Sequence, residues 1–386
     1  GGLPTLTRDL KIAGLPLGSL ATDIVSIGAG GGSIASVDAG GALAVGPQSA
    51  GANPGPACYD LGGTKPTVTD AFVALGYVSP DAFLGGRMKL DRSKAIEAIQ
   101  TEVARPLGLS TIDAAAGIFR FANFKMVKAM AAVSIERGID PRETILVAGG
   151  GAGGVVVGAL AEEFGVERAI VPRVAGGYSA FGMTVVDVIF DYTRTFTTDS
   201  GAVNVDETNA LLAGMEVEAL KDLKASGIDT SAVQFQWFYD AAYWGQAHEL
   251  IVPLSKGRFD DIADLRAPFD REHEKIYTFM MPDDKVNFFH WRVNAVVASS
   301  LPMPARKEST SPDPGDALRG RRTVYFGDEA GAVEIPVYDG TKLFPGHIIR
   351  GPAVIEELTT SVTVFPGHAV RVSLVGYDYR VDGGSL

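Results

Sequence analysis

The sequence has a single cysteine, Cys58 in "GPACYD", among 386 residues. One thiol excludes an intramolecular disulfide and a cysteine-based zinc cluster. It reads as a small buried hydrophobe rather than a nucleophile, because no cation or helix start stands beside it in the sequence. Runs of Lys or Arg are also missing, and the formal net charge is −12. Nucleic acid and anionic membrane both require clustered positive charge, so neither is expected as a partner. No stretch of about 18 apolar residues occurs. Nor does the chain open on a basic segment followed by an apolar core and a cleavage site, so a cytoplasmic location is the default expectation.

Local catalytic motifs are equally scarce. The five histidines (His248, His273, His290, His347, His368) show no H-E-x-x-H or other ligand spacing, which leaves the metal ligands unknown. "GGYSAFG" comes closest to a G-x-S-x-G elbow and misses it, so a serine hydrolase is not expected. G-x-x-x-x-G-K-[ST] is absent too.

What the chain has instead is glycine, in two clusters. The first, "IGAGGGSIASVDAGG", places Gly28, Gly30, Gly31, Gly32 and Ser33 in one loop. "DIVSI" (23–27) reads as a strand before it, and "SIASVD" and "ALAVG" as a hairpin around Gly40-Gly41. A loop between strands can wrap an anion with its backbone amides, although no lysine follows it; a plain hairpin bend is the alternative. The second cluster, "LVAGGGAGGVVVGA", includes Gly149, Gly150, Gly151, Ala152 and Gly153 between a strand, "TILVA" (144–148), and a helix running through "ALAEEFG". Gly149, Gly151 and Gly154 meet the G-x-G-x-x-G spacing. The next strand, "RAIVP" (168–172), nevertheless ends in Pro172 and Arg173 rather than the acid that would hold a ribose. A nicotinamide dehydrogenase therefore rests on spacing alone. The broader reading is an anion or nucleotide site at a helix start, with a tight strand-helix corner as the alternative.

Between the clusters, residues 46–70 are rich in Gly, Pro, Asn and Ser but poor in charge, the mark of a long ordered loop with a function. Asp70 closes it and is the candidate catalytic acid, set against a helix-capping or loop-bracing role. A long, largely buried helix is expected from Ser110 or Thr111 to Gly138, and residues 309–322 read as a surface linker. The domains expected are 1–198, carrying both glycine loops; 199–308, an α+β segment; and 309–386, a β-rich region of short strands between Gly and Pro turns.

"IGAGGGSIASVDAGGALAVGPQSAGANPGPACYDLGGTKPTVTDA", "FLGGRMKLD", "VSIERGIDPRE", "GGGAG" with "LAEEFGV", and "GPAVIEELTTSVTVFPG" together resemble the hydantoinase A / 5-oxoprolinase family, to which acetone and acetophenone carboxylase subunits are related. The resemblance spans nearly the whole chain and is most specific over 22–198. It implies an α/β fold: an actin/hexokinase-like (ribonuclease H-like) ATPase lobe followed by a β-rich C-terminal domain. Gly149–Gly153 match the stretch that contacts adenosine, and Gly28–Ser33 match the glycine loop near the nucleotide cleft. ATP and Mg2+ are the implied cofactors. The implied reaction is ATP-driven opening of a cyclic amide, or carboxylation of a ketone, through phosphate activation; a non-catalytic assembly subunit is the competing reading. The implied partners are the family's N-terminal half, which carries the acidic phosphate motifs and metal ligands, and a hydantoinase B-type subunit. Because the chain opens on "GGLPTL" inside what reads as a folded domain, that half is expected upstream, and the chain alone is expected not to hydrolyse ATP. The family's second motif continues Gly-Pro-Leu-His, whereas Gly154, Val155 and Val156 stand here, without the imidazole.

Overall fold

The computed structural model describes residues 6–7, 10–12, 14–16, 21–299, 311–327 and 330–382. Two compact units form, one from Gly1–Phe181 with Pro304–Leu386 and the other from Gly182–Met303.

The first unit starts with the expected hairpin, β1 (Ser33–Val37) and β2 (Leu43–Ser49), antiparallel around a turn in which Gly41 adopts φ 79°. Helices α1 (Val68–Leu75), α2 (Arg92–Ile99) and α3 (Thr111–Val133) follow. The side chain of Ser110 caps α3 by accepting from the Asp113 N–H, which satisfies one of the orphan amides of its first turn. Only the first half of α3 is buried, from Ala114 to Asn123; Phe124 is 55% exposed, so the helix is less buried than its composition suggests. Residues 23–27 form no strand, although their β-branched residues favour one. Propensity needs a partner edge to take effect, and no strand pairs with this segment among the described residues.

The glycine-rich corner is a β–α–β unit, as read from the sequence. β3 (Leu146–Val147) leads through the second loop into α4 (Gly153–Phe164) and back to β4 (Arg168–Pro172), parallel to β3. Gly165 ends α4 in the left-handed region, at φ 78°.

The second unit is a four-stranded antiparallel sheet. In chain order its elements are β5 (Val188–Asp199), α5 (Val205–Ala225), β6 (Gln234–Tyr243), β7 (Leu250–Leu254), α6 (Ala263–Tyr277) and β8 (Val286–Val297), with strand order β7-β6-β8-β5. Its core gathers Trp291, Tyr239, Phe259 and Phe288 with Leu212 and Leu265 from the helices.

After residue 310 the chain rejoins the first unit. Leu318–Arg322, the end of the expected linker, belong to β9 (Leu318–Tyr325), which pairs with β10 (Ala332–Asp339); Ser309 and Thr310 lie outside the described residues. Five short strands complete the chain: β11 (Ile348–Arg350), β12 (Ala353–Glu356), β13 (Ser361–Val364), β14 (Ala369–Val372) and β15 (Gly376–Arg380). β15 pairs antiparallel with β4, so the last strands extend the β–α–β sheet in the order β11-β14-β15-β4-β3. One core joins α1–α3 to the hairpin, through Ala35 and Val45, and to the start of α4, through Val155 and Val156. A second lies under the other face of α4, where Val157 and Ala161 meet Val362, Val370 and Tyr377.

His368 sits against that second core, 4% exposed, with Nδ1 3.0 Å from the Tyr379 hydroxyl and Nε2 3.6 Å from a Glu162 carboxylate oxygen. Burial lowers its pKa below the ordinary 6.5, and Glu162 only partly opposes the shift. The unfolded chain therefore takes up a proton that the folded one resists, so stability falls as pH drops from about 6.5 toward the depressed value. Replacing His368 by Gln should flatten urea-unfolding stability between about pH 6.5 and 5.5 relative to the parent; an unchanged pH slope would assign that dependence to other groups.

Candidate functional site

Both glycine loops stand at the ends of elements packed on α3: β2 follows the first loop through β1, and α4 follows the second. No hydrogen bond joins the two loops directly among the described residues.

The first loop is pinned from below. The Gly31 carbonyl accepts from both the backbone N–H (2.8 Å) and the hydroxyl (2.9 Å) of Thr69, in the first turn of α1, and the Gly32 carbonyl accepts from the Ala50 N–H at 2.9 Å. A trans peptide points its C=O and N–H in opposite directions, so anchoring the Gly31 carbonyl turns the Gly32 amide away from the helix. The N–H groups of Gly31 and Gly32 have no acceptor among the described residues. Ser33 closes the loop, its hydroxyl accepting from the Gly30 N–H at 3.0 Å. The cation that the sequence does not place after this loop comes from α3 instead. Lys125 Nζ donates to the Val45 carbonyl at 2.8 Å and lies 3.4 Å from the Gly28 carbonyl. Gly46 permits this approach, because a Cβ there would lie 2.5 Å from the Gly28 oxygen. Sequence reasoning missed Lys125, which stands 97 residues from Gly28 and belongs to no local motif.

The second loop is held by the turn after β4 and by the turn between β12 and β13. Gly150 N–H donates to the Ala175 carbonyl at 2.7 Å, Gly153 N–H to the Gly150 carbonyl at 3.1 Å, and the Thr360 hydroxyl to the Gly151 carbonyl at 2.9 Å. The amides of Gly151 and Ala152, at the start of α4, have no acceptor among the described residues. This is the electropositive end of a helix, with backbone donors open to an anion.

The glycines divide by what a side chain would meet. At Gly28, Gly31, Gly32 and Gly149 a Cβ would come within about 3 Å of Pro47, Thr69, Ser49 and Tyr178, so packing accounts for them. At Gly30 a Cβ would meet nothing within 4 Å, and the backbone is not left-handed there. Gly150 also faces open space but holds φ +89°, a conformation that itself favours glycine.

Asp70 is wholly buried as the third residue of α1. Its carboxylate accepts from the N–H groups of Ala57 (3.2 Å), Cys58 (2.7 Å) and Thr67 (2.8 Å) and from the Thr67 hydroxyl (2.8 Å), while Thr67 caps the helix in return. A carboxylate so committed braces the 46–70 loop against α1 and thereby fixes Thr69 under the first glycine loop. Cys58 is fully buried, and burial, reinforced by the Asp70 charge, pushes its thiol well above the ordinary range, consistent with packing rather than nucleophilic chemistry.

In the second unit Asp240, Glu249 and His290 bring ligand atoms within 4.8 Å of one another. Asp240 is already gripped by Arg292 through both carboxylate oxygens, at 2.8 and 2.6 Å, and His290 Nδ1 lies 3.0 Å from the Thr195 hydroxyl. The cluster is accounted for as an ion-pair network across β5, β6 and β8. No helix among the described residues is long and apolar enough to cross a membrane.

The chain has the hydantoinase-type ATPase fold, and a solved structure carries the same α/β architecture. This structure, titled as nucleotide-free acetone carboxylase from a study of ATP-dependent acetone carboxylation, matches with a TM-score of 0.86 at 27% identity over 98% of this chain and 55% of that one. The chain belongs to the hydantoinase/oxoprolinase family, whose model matches residues 2–192, with the family's C-terminal domain matching residues 197–375. It is 39% identical over 381 residues to the caprolactamase subunit alpha of Pseudomonas jessenii, covering 97% of this chain and 54% of that protein. It is 32% identical over 365 residues to the acetophenone carboxylase gamma subunit of Aromatoleum aromaticum, covering 91% and 50%. The chain thus spans about half the length of these curated relatives.

Proposed function

We propose that this chain supplies the glycine-loop wall of a nucleotide site in an ATP-dependent enzyme that opens a cyclic amide. The observation that carries the reading is the pair of loops whose amides at Gly31, Gly32, Gly151 and Ala152 have no acceptor among the described residues, together with the Lys125 ammonium beside the first loop. Gly149–Gly153 would hold the adenosine side. Gly28–Ser33 and Lys125 would face the phosphates, and Mg2+ would be held mainly by acidic residues of the family's N-terminal half. ATP, when bound, supplies a phosphoryl group that turns the poorly electrophilic amide into a reactive one. Backbone donors act here by standing already aimed at the charge, without reorganisation. The 39% identity to a caprolactamase subunit favours a lactam-type substrate over a ketone.

A ketone carboxylase is the second reading, favoured by the TM-score of 0.86 to the acetone carboxylase structure. Both readings take the N-terminal half and a hydantoinase B-type subunit as partners. Isothermal titration of Mg-ATP into the chain assembled with its upstream half tests the nucleotide site; absence of heat at millimolar ATP would overturn it. With the B-type subunit added, ATP consumption on a cyclic amide without bicarbonate supports the first reading. Consumption that requires bicarbonate and a ketone supports the second.

Replacing Lys125 by Met should weaken ATP binding about tenfold, equivalent to roughly 1.4 kcal/mol, and reduce the salt dependence of the affinity, because a charge near the phosphates is lost. Unchanged affinity at low and high salt would restrict Lys125 to bracing Gly28 and Val45.

A further inference from the structure

The C-terminal motif "GPAVIEELTTSVTVFPG" supplies the turn between β12 and β13, and that turn packs directly against the second glycine loop. At Gly154 a Cβ would come 2.5 Å from the Ser361 carbonyl oxygen, and at Gly176 it would come 2.5 Å from the Thr359 carbonyl oxygen. The start of α4 and the turn after β4 therefore close on residues 359–361 only because their own backbone is bare.

The turn is anchored at its base. Glu357 N–H donates to the Thr360 carbonyl at 2.9 Å, and the Glu357 carboxylate accepts from Arg173 at 2.8 Å and from the Tyr377 hydroxyl. Arg173 donates to the Gly340 and Leu343 carbonyls as well. Its side chain and that of Glu357 are 10% and 8% exposed, so the pair is buried and hydrogen-bonded on several sides. Arg173 stands where a dinucleotide fold would place a ribose-binding acid, yet it turns inward and braces this turn.

Thr360 projects from the braced turn. It is 6% exposed, and its hydroxyl donates to the Gly151 carbonyl at 2.9 Å. Because C=O and N–H oppose one another across a trans peptide, that bond directs the Ala152 N–H away from Thr360. This amide has no acceptor among the described residues. The first loop repeats the arrangement, with the Thr69 hydroxyl on the Gly31 carbonyl ahead of the Gly32 amide. Glycine-rich backbone rotates at little steric cost, so a fixed carbonyl is what keeps such an amide aimed.

We propose that Thr360 is a positioning residue of the nucleotide site, holding the Gly151–Ala152 peptide so that the Ala152 N–H meets an anionic oxygen of the nucleotide. The inference rests on reading the glycine loops as that site, and it brings the C-terminal strands into nucleotide binding.

Isothermal titration of Mg-ATP into the chain assembled with its upstream half tests it, alongside the melting temperature of each variant. Thr360→Val keeps the shape without the donor and should weaken ATP binding about tenfold, whereas Thr360→Ser keeps the donor and should bind within about twofold of the parent. Thr363 provides the matched control. It is fully buried on β13, and its hydroxyl has no hydrogen-bond partner among the described residues. Thr363→Val should therefore leave ATP affinity within about twofold of the parent. A parent that takes up no Mg-ATP overturns the nucleotide reading and this role with it. When the parent binds, the nucleotide reading stands and the role of Thr360 alone is overturned by any of three results: Thr360→Val binding as tightly, even with a lowered melting temperature; Thr360→Ser failing to restore affinity; or Thr363→Val losing as much.

Discussion

Replacing Asp70 by Ala is expected to cost the first unit about 3 kcal/mol or more of stability. Four hydrogen bonds converge on this fully buried carboxylate, three of them from backbone N–H groups of residues 57, 58 and 67. Alanine would leave each donor buried without an acceptor and remove the reciprocal cap on α1, so the 46–70 loop and Thr69 would lose their common anchor. Asp70→Asn preserves the shape but turns one acceptor into a donor facing other donors, and should also destabilise, by less. Urea unfolding monitored with ATP affinity separates bracing from catalysis. A brace loses stability in both variants and affinity in proportion to loop disorder. An Asn variant that keeps its stability yet loses turnover would return Asp70 to the chemistry.

Gly30→Val should weaken ATP binding by at least tenfold while leaving the melting temperature of the free protein within measurement scatter. Gly30 is exposed, its backbone is not left-handed, and a Cβ would meet no atom within 4 Å. Surface substitutions of that kind are normally within about 0.5 kcal/mol of neutral. Since a Cβ there meets no atom of the described residues, the isopropyl group is expected to obstruct a ligand brought against bare backbone. Gly150, which the sequence makes an equally attractive target, is a poorer probe. Its φ of +89° means that valine would add roughly 1–2 kcal/mol of backbone strain, so binding and stability would fall together. Gly30→Val binding ATP as the parent does would remove the first loop from the nucleotide site.

Much of the local architecture was legible from residues alone. The strand, glycine loop, helix and strand over 144–172 were readable because hydrophobic runs, a glycine break and a helical period fall in one continuous stretch, as in the structure's β3, α4 and β4. The hairpin around Gly40-Gly41 and the Ser110 cap of α3 were readable for the same reason: the determinants are neighbours in sequence. The strand expected at 23–27 failed because β-branched residues form a strand only where an edge is offered. The largely buried helix was overstated because burial depends on what packs against each turn.

The sequence by itself determined where the bare backbone lies and which short elements flank it, since turns, caps and periodicity act over a few residues. Only the tertiary structure decided that Lys125 reaches the first loop from α3, that four donors absorb Asp70, and that β15 closes on β4. Those juxtapositions join residues tens to hundreds of positions apart. They are set by how buried faces pack and how buried polar groups find partners, and neither leaves a local pattern in the chain.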